Sequence, residues 1–301
     1  WMNQVTPSGS LANFRVFYTF HGKSSHAAGA PHLGRSALDG VEIMDVGVNY
    51  MREHMIDEAR IHYAIINTGG TAPNVVQSEA QVLYAIRAPK VTQVKELFER
   101  VNDCARGAAL ITGTTVDIKQ VAAYSDYRAN DVISQRLGVH MDELLPIGYT
   151  EEELAYAKKF QQVITDLDRE NLKETAKKLA GKDSAQLLEQ PLFDFRVTKE
   201  LGGGKGSTDV GDVSWVVPTG QFNAVTWAAG TPGHAWQIVA QGKGPVAHKG
   251  MLFAAKVMAA TAYDFLTQPD LVQQAHQAWL DDLDGETYPN ALPADAKPEI
   301  W

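Results

Sequence analysis

Between residues 14 and 124 the apolar positions switch between two rhythms. The stretch "FRVFYTF" (14–20) alternates in part and is rich in aromatic and β-branched residues, which predicts a strand. From Leu33 the apolar residues fall at Leu33, Ala37, Leu38, Val41, Met44, Val48, Met51 and Met55, a helical spacing over about 33–55. "ARIHYAII" (59–66) alternates again and reads as a strand. "TGGTAPN" (68–74) is a Gly/Pro/Asn loop, and "EAQVLYAIRAP" (79–89) is a strand with Val82, Tyr84 and Ile86 on one face. Val94, Leu97, Phe98, Val101, Ala105 and Ala108 mark a second amphipathic helix, and "TTVDIKQVAAY" (114–124) a fourth strand. The order β-α-β-β-α-β is the ferredoxin-like pattern, an antiparallel four-stranded sheet with both helices on one face, over about 12–124.

The remainder changes character. Thr150 followed by Glu153 is a capping box, and Leu154, Ala157, Gln161 and Ile164 line one face of the helix it opens. A charged helix is expected over 168–180. A Gly-rich loop (201–215), a strand near 222–230, a turn (231–237) and a long helix over about 250–266 follow; from Gln268 the chain is polar and Pro-rich, and no structured element is expected before the first strand.

Composition narrows the function. With 27 basic and 36 acidic residues in 301, the net charge is −9, which opposes binding to phosphate backbones and argues against nucleic acid as a partner. One cysteine, Cys104, allows neither an internal disulfide nor a cysteine zinc site, and no apolar run spans a bilayer. With no basic, apolar leader in "WMNQVTPSGSLAN", a cytoplasmic location is expected, and Trp1 before Met2 reads as the interior of a longer protein.

Four places offer chemistry, each with an ordinary alternative. His26 sits among small residues in "FHGKSSHAAGAPHLGRSALD" (20–39), where a turn histidine is the plain reading. Asn74 ends a loop and could cap a turn; Arg87, near a strand end, could be solvated, although a guanidinium suits two parallel bonds to a carboxylate. Thr208, Asp209 and Asp212 in "GSTDVGDVS" could line a substrate or form a turn and helix cap. His234 in "GTPGHAWQ" lies just past the expected strand, a common place for a metal ligand. His248 in "VAHKGM" starts the last helix, where a neutral side chain is expected.

Together these stretches resemble the metallo-aminoacylase/carboxypeptidase family of di-metal amidohydrolases. "FHGKSSHAAGAPHLGRSALD" looks like the family's lid signature. "PNVVQSEAQVLYAIRAP" looks like the next one, with Asn74 thirteen residues before Arg87. "STDVGDVSW", "GTPGHAWQ" and "AHKGMLFAAKVMAAT" resemble its aminobenzoyl-glutamate branch. The resemblance covers about 11–266. It implies a ferredoxin-like lid/dimerisation domain (12–124) followed by the C-terminal part of a zinc-peptidase-like α/β catalytic domain (125–301). It implies lid-to-lid pairing into a homodimer, or a heterodimer with the homologous A-type chain of that branch. His26 would cross to the partner's cleft and stabilise the oxyanion, Asn74 and Arg87 would hold the substrate carboxylate, and Thr208 and Asp209 would lie in the substrate-side loop. His234, with His248 as the alternative, would be the last metal ligand. The implied reaction is cleavage of p-aminobenzoyl-glutamate to p-aminobenzoate and glutamate with two divalent ions, zinc or manganese. Alternatives are an N-acyl-amino-acid or peptide substrate within the same family, or a non-catalytic dimerisation module.

The family's other metal ligands and its general-base Glu-Glu pair lie in an N-terminal half for which this sequence shows no counterpart. Glu151–Glu153 are expected in the first turn of a helix, where acids complement the dipole. The chain is therefore expected to supply at most one metal ligand and to be inactive alone.

Overall fold

The computed structural model describes residues 2–6, 9–199, 206–294, 296 and 297. In chain order the elements are β1 (Met2–Val5), β2 (Ala12–His21), α1 (Ala37–Met51), β3 (Arg60–Asn67), β4 (Glu79–Ala88), α2 (Val91–Thr112), β5 (Thr115–Tyr124), α3 (Asp131–Leu144), α4 (Glu151–Gln162), α5 (Asp166–Ala180) and α6 (Ser184–Leu188). There follow β6 (Phe193–Arg196), α7 (Val210–Ser214), β7 (Phe222–Asn223), α8 (Trp236–Gln241), α9 (Pro245–Thr267) and α10 (Pro269–Leu283). They form two compact units.

The lid unit holds residues 9–127 together with 206–216 and the described part of 287–297. Its antiparallel sheet has the order β3-β4-β2-β5, the ferredoxin-like arrangement expected from the alternating strands. Even-numbered residues of β2 and β4 (Phe14, Val16, Tyr18, Phe20, Val82, Tyr84, Ile86) are buried with Val41, Met44 and Val48 of α1 and Val94, Leu97 and Val101 of α2. Both helices therefore cover one face. Two polar pairs cross this core: Tyr18 donates to Asn102 Oδ1 at 2.7 Å, and Tyr84 to Asp45 Oδ1 at 2.5 Å. Burial holds the Asp45 carboxyl above its ordinary range, opposed by the Tyr84 hydrogen bond.

The helix expected over 33–55 is shorter. Ser36 caps it by accepting from the Asp39 N–H at 3.1 Å, and 3₁₀ turns occupy 31–33 and 52–54. The segments 206–216 and 287–294 pack within the same unit as the lid. Asp212 Oδ1 accepts from Ser125 N (3.1 Å), Ser125 Oγ (2.7 Å) and Tyr288 OH (3.1 Å), and Gln120 Nε2 donates to Ala291 O at 3.0 Å.

The companion unit holds residues 2–6, 128–199 and 217–286. Its sheet has the order β6-β1-β7, with β1 parallel to β6 and antiparallel to β7. A strand therefore does precede the first expected one. The strand expected near 222–230 is only Phe222–Asn223, and the chain after Gln268, read as a polar tail, begins with the fifteen-residue helix α10. The capping box at Thr150–Glu153 forms as expected, and Glu153 also pairs with Lys249 at 2.7 Å, so Glu151–Glu153 is structural.

Helices α3 and α9 pack through Leu137, Met141, Phe253 and Val257. Beside them Asp264 Oδ2 accepts from His140 Nε2 at 2.7 Å and from Arg136 Nε at 2.9 Å. The Arg136 hydrogen bond, followed by that of His140, holds the Asp264 carboxyl below its ordinary range. A depressed carboxyl stabilises the fold above its unfolded value and loses that contribution as pH falls through the folded one. Asp264→Asn is therefore expected to cost about 2 kcal/mol at pH 7. In denaturant melts the gap to wild type should close as pH drops below the ordinary carboxylate range. A gap unchanged at low pH would assign the loss to packing instead.

Candidate active site

The loop after β2 and the loop before β4 leave the same end of the lid sheet and run outward together. His21 pairs with Glu79, Gly22 N–H donates to Ser78 O at 2.8 Å, and Val76 N–H to Ser25 O at 3.0 Å. His26 forms a bridge with Val75, and Ala27 N–H donates to Asn74 O at 2.9 Å. His26 and Asn74, 48 residues apart in sequence, are thus neighbours on an exposed double loop.

The imidazole is fixed by its own turn. Ala30 N–H donates to His26 O at 2.9 Å, and His26 Nδ1 accepts from Ala28 N–H at 3.2 Å and Gly29 N–H at 3.0 Å. A nitrogen that accepts two backbone donors carries no proton, so the ring's N–H is on Nε2. One small residue has a defined part here: a Cβ added at Gly34 would lie 2.4 Å from Ser25 Oγ. An oriented donor on an exposed loop can serve developing negative charge.

Arg87 is elsewhere. It lies at the opposite end of β4, facing Asn13 of β2 and Arg60 of β3. From Glu79 to Arg87 a strand advances about 26 Å, beyond the reach of any side chain. That end is where the chain enters the lid sheet at Ala12 and leaves it at Tyr124. One chain therefore does not bring Arg87 to Asn74, as a shared carboxylate grip would need.

Thr208 and Asp209 lie on the 206–216 segment. Thr208 Oγ1 accepts from Val210 N–H at 3.3 Å in a local turn, and Asp209 is exposed. Asp212 is a brace for Ser125, and the segment is seated so closely that a Cβ at Gly211 would fall 2.0 Å from Ser125 O. The glycines expected at 201–205 lie outside the described residues.

His234 is exposed and has φ 55°, the left-handed region. It lies eleven residues after β7 ends, not at a strand end, and precedes α8. His248 is inside the first turn of α9 and exposed. Among the described residues no three His, Cys, Asp or Glu side chains converge to hold a metal ion, so the residues present do not fit a metal centre by themselves. Among the described residues no helix is long and apolar enough to cross a membrane.

Sequence reasoning missed the surroundings of Arg87. Register places Arg60 directly opposite it, with His62 opposite Ala85 and Arg15 on the other side of Ala85. The linear spacing carries no sign of this grouping.

Comparison with known proteins gives a consistent picture. Residues 10–112 match the model of a peptidase dimerisation domain. The chain is 40% identical over 297 residues to the B chain of p-aminobenzoyl-glutamate hydrolase of Escherichia coli, covering 96% of this chain and 61% of that one. It is 29% identical to the Xaa-Arg dipeptidase of Mus musculus, covering 87% of this chain and 50% of that one. For the Xaa-Arg dipeptidase of Homo sapiens the values are 27%, 94% and 54%. The chain thus spans about half to three-fifths of the length of these relatives. With the ferredoxin-like lid and this identity along nearly its whole length, the chain carries an M20-type peptidase dimerisation domain over 10–112 and is similar as a whole to hydrolases of the metallo-aminoacylase/carboxypeptidase type.

Proposed function

We propose that this chain is the lid and C-terminal part of a metal-dependent amidohydrolase that cleaves p-aminobenzoyl-glutamate to p-aminobenzoate and glutamate. The observation that carries the reading is His26, an exposed imidazole whose Nδ1 accepts two backbone N–H groups, on a loop paired with that of Asn74. Attack of water on an amide carbonyl places negative charge on its oxygen. A preoriented Nε2–H aimed at that oxygen would contribute about 3–4 kcal/mol to the barrier.

Separation of the two ends of β4 sets how the residues combine. In a lid-paired dimer, one cleft would take Arg87 from its own chain, at the end where the chain enters and leaves the lid sheet. It would take His26 and Asn74 from the partner. Arg87 would grip the carboxylate of the leaving amino acid through two parallel hydrogen bonds, with Asn74 donating from the far side. Thr208 and Asp209 would border the substrate. The partner is an identical chain or a homologous A-type chain, paired through the lids. His234, or His248, would be one ligand of the family's metal centre, completed by residues this chain does not bring together; zinc or manganese suits such a nitrogen and oxygen set. The domain division proposed is the lid over 12–124 and the catalytic part over 125–301, and the compartment is the cytoplasm.

The test is release of p-aminobenzoate from p-aminobenzoyl-glutamate by the full-length enzyme, followed chromatographically with N-acetyl-alanine and dipeptides as competitors. Turnover of the aminobenzoyl substrate about tenfold or more above the others is expected. Activity confined to acyl-alanine or to dipeptides would replace the substrate assignment.

A further inference from the structure

Burial alternates along the lid sheet, and the odd-numbered residues of β2 and β4 lie on the face away from α1 and α2. On that face, at the end where Ala12 and Ala88 pair, register gathers four basic side chains. Arg60 is the direct cross-strand partner of Arg87. One row further in, Arg15 and His62 flank Ala85. Directly opposite positions on neighbouring strands hold their Cβ atoms about 5 Å apart, and like charges there repel. In a chain with net charge −9, this grouping is a local positive patch suited to a negative ligand.

A second observation points the same way. Asn13, facing Arg87 from β2, is 1% exposed, and among the described residues neither its Nδ2 nor its Oδ1 has a hydrogen-bond partner. A buried amide without partners costs on the order of 1–3 kcal/mol. A bound carboxylate beside Arg87 would accept from its Nδ2. The His62 imidazole reports the same field: partial burial, then the positive charges of Arg87, Arg52 and Arg60, hold it below its ordinary value.

We propose that Arg60 and His62, beside Arg87 and Asn13, form a second carboxylate subsite, so that the enzyme selects leaving amino acids with an acid side chain. This rests on the reading of Arg87 as the grip for the α-carboxylate. The two carboxylates of glutamate are about 5 Å apart, matching the cross-strand spacing of Arg87 and Arg60. A guanidinium has five N–H donors. Arg60 can therefore keep its Nη1 bonds to the Asp57 and Ala59 carbonyls and still have other N–H groups to offer a carboxylate. No bond is made or broken in this step; the subsite only binds. A substrate ending in arginine would place its positive side chain against this cluster, which argues against the specificity in the Xaa-Arg dipeptidases' name.

Direct binding tests this without turnover. The chain is titrated calorimetrically with N-acetyl-L-glutamate and with N-acetyl-L-norvaline, which has the same carbon skeleton length but no side-chain acid. The glutamate compound is expected to bind about tenfold or more tightly, as one charge-assisted contact implies. Arg60→Gln should bring the ratio to within about twofold while leaving the norvaline compound's affinity unchanged. His62→Gln, on an exposed position, should reduce the ratio in part and serves if Arg60→Gln does not fold. Equal affinities in the wild type, or a ratio that both variants leave unchanged, would overturn the subsite. Because nothing here depends on amide cleavage, a failure to hydrolyse p-aminobenzoyl-glutamate is a separate result.

Discussion

At substrate concentrations well below KM, mixing His26→Ala and Arg87→Gln protomers of the full-length enzyme should restore activity that each variant alone has largely lost. If His26 is the oxyanion donor proposed, His26→Ala is expected to lower kcat by about a hundredfold or more, with metal content unchanged. Arg87→Gln would remove the proposed bidentate grip and should raise KM for the glutamate substrate by a similar factor. In a homodimer whose clefts each combine one chain's Arg87 with the other chain's His26, a mixed dimer has one cleft with both residues intact and one with neither. Random reassortment makes half the dimers mixed, so about a quarter of the wild-type clefts recover. If His26 served the cleft of its own chain, every cleft of the mixed dimer would lack one residue and no activity would return. The measurement is p-aminobenzoate release after the two variants are exchanged through mild denaturant. Recovery near a quarter supports the crossed arrangement, and its absence ends it.

That arrangement is legible in the sequence only in part, for physical reasons. The lid is readable because its strands alternate over eight to ten residues and its helices bury one stripe, so each rhythm repeats often enough to be seen. In the companion unit β1 and β6 have four residues each and β7 two, too short to show a period. Its missed helices did leave signals. Asn130 caps α3 by accepting from Ile133 N–H, ahead of Ile133, Leu137 and Met141 at four-residue steps; α10 opens with Pro269 and Asp270. At the site, His26 and Asn74 are visible as small-residue and turn motifs. Their adjacency, the separation from Arg87 and the Arg60–His62 grouping come from strand register, which links residues distant in sequence. The left-handed conformation of His234 has only a weak sequence sign: histidine is enriched there among non-glycine residues, but the conformation is uncommon for any of them.

The crossed clefts proposed above would require the lids to pair, and the lid offers a surface for it. β3 is an edge strand, with Tyr63, Ile65 and Ile66 39–51% exposed along it. On α1 the outward residues Ile43, Val46 and Tyr50 are likewise exposed. The two lie on one side of the unit, because Asp45 of α1 bonds Tyr84 and Tyr63 of β3 stacks on the same ring at 5.3 Å. An unpaired edge beside apolar helix positions is an unstable arrangement in isolation: the edge recruits another strand, and the apolar patch favours association. Val46→Lys with Ile65→Lys places two charges in that surface at sites already open to water, so the fold should keep its melting point within a few degrees. By light scattering the wild-type enzyme should be a dimer and the double variant a monomer at micromolar concentration. The monomer's turnover should fall at least as far as that of His26→Ala, since its own His26 stands at the far end of the sheet from its own Arg87. A double variant that stays dimeric would move the interface elsewhere, and a fully active monomer would show that each chain completes its cleft unaided.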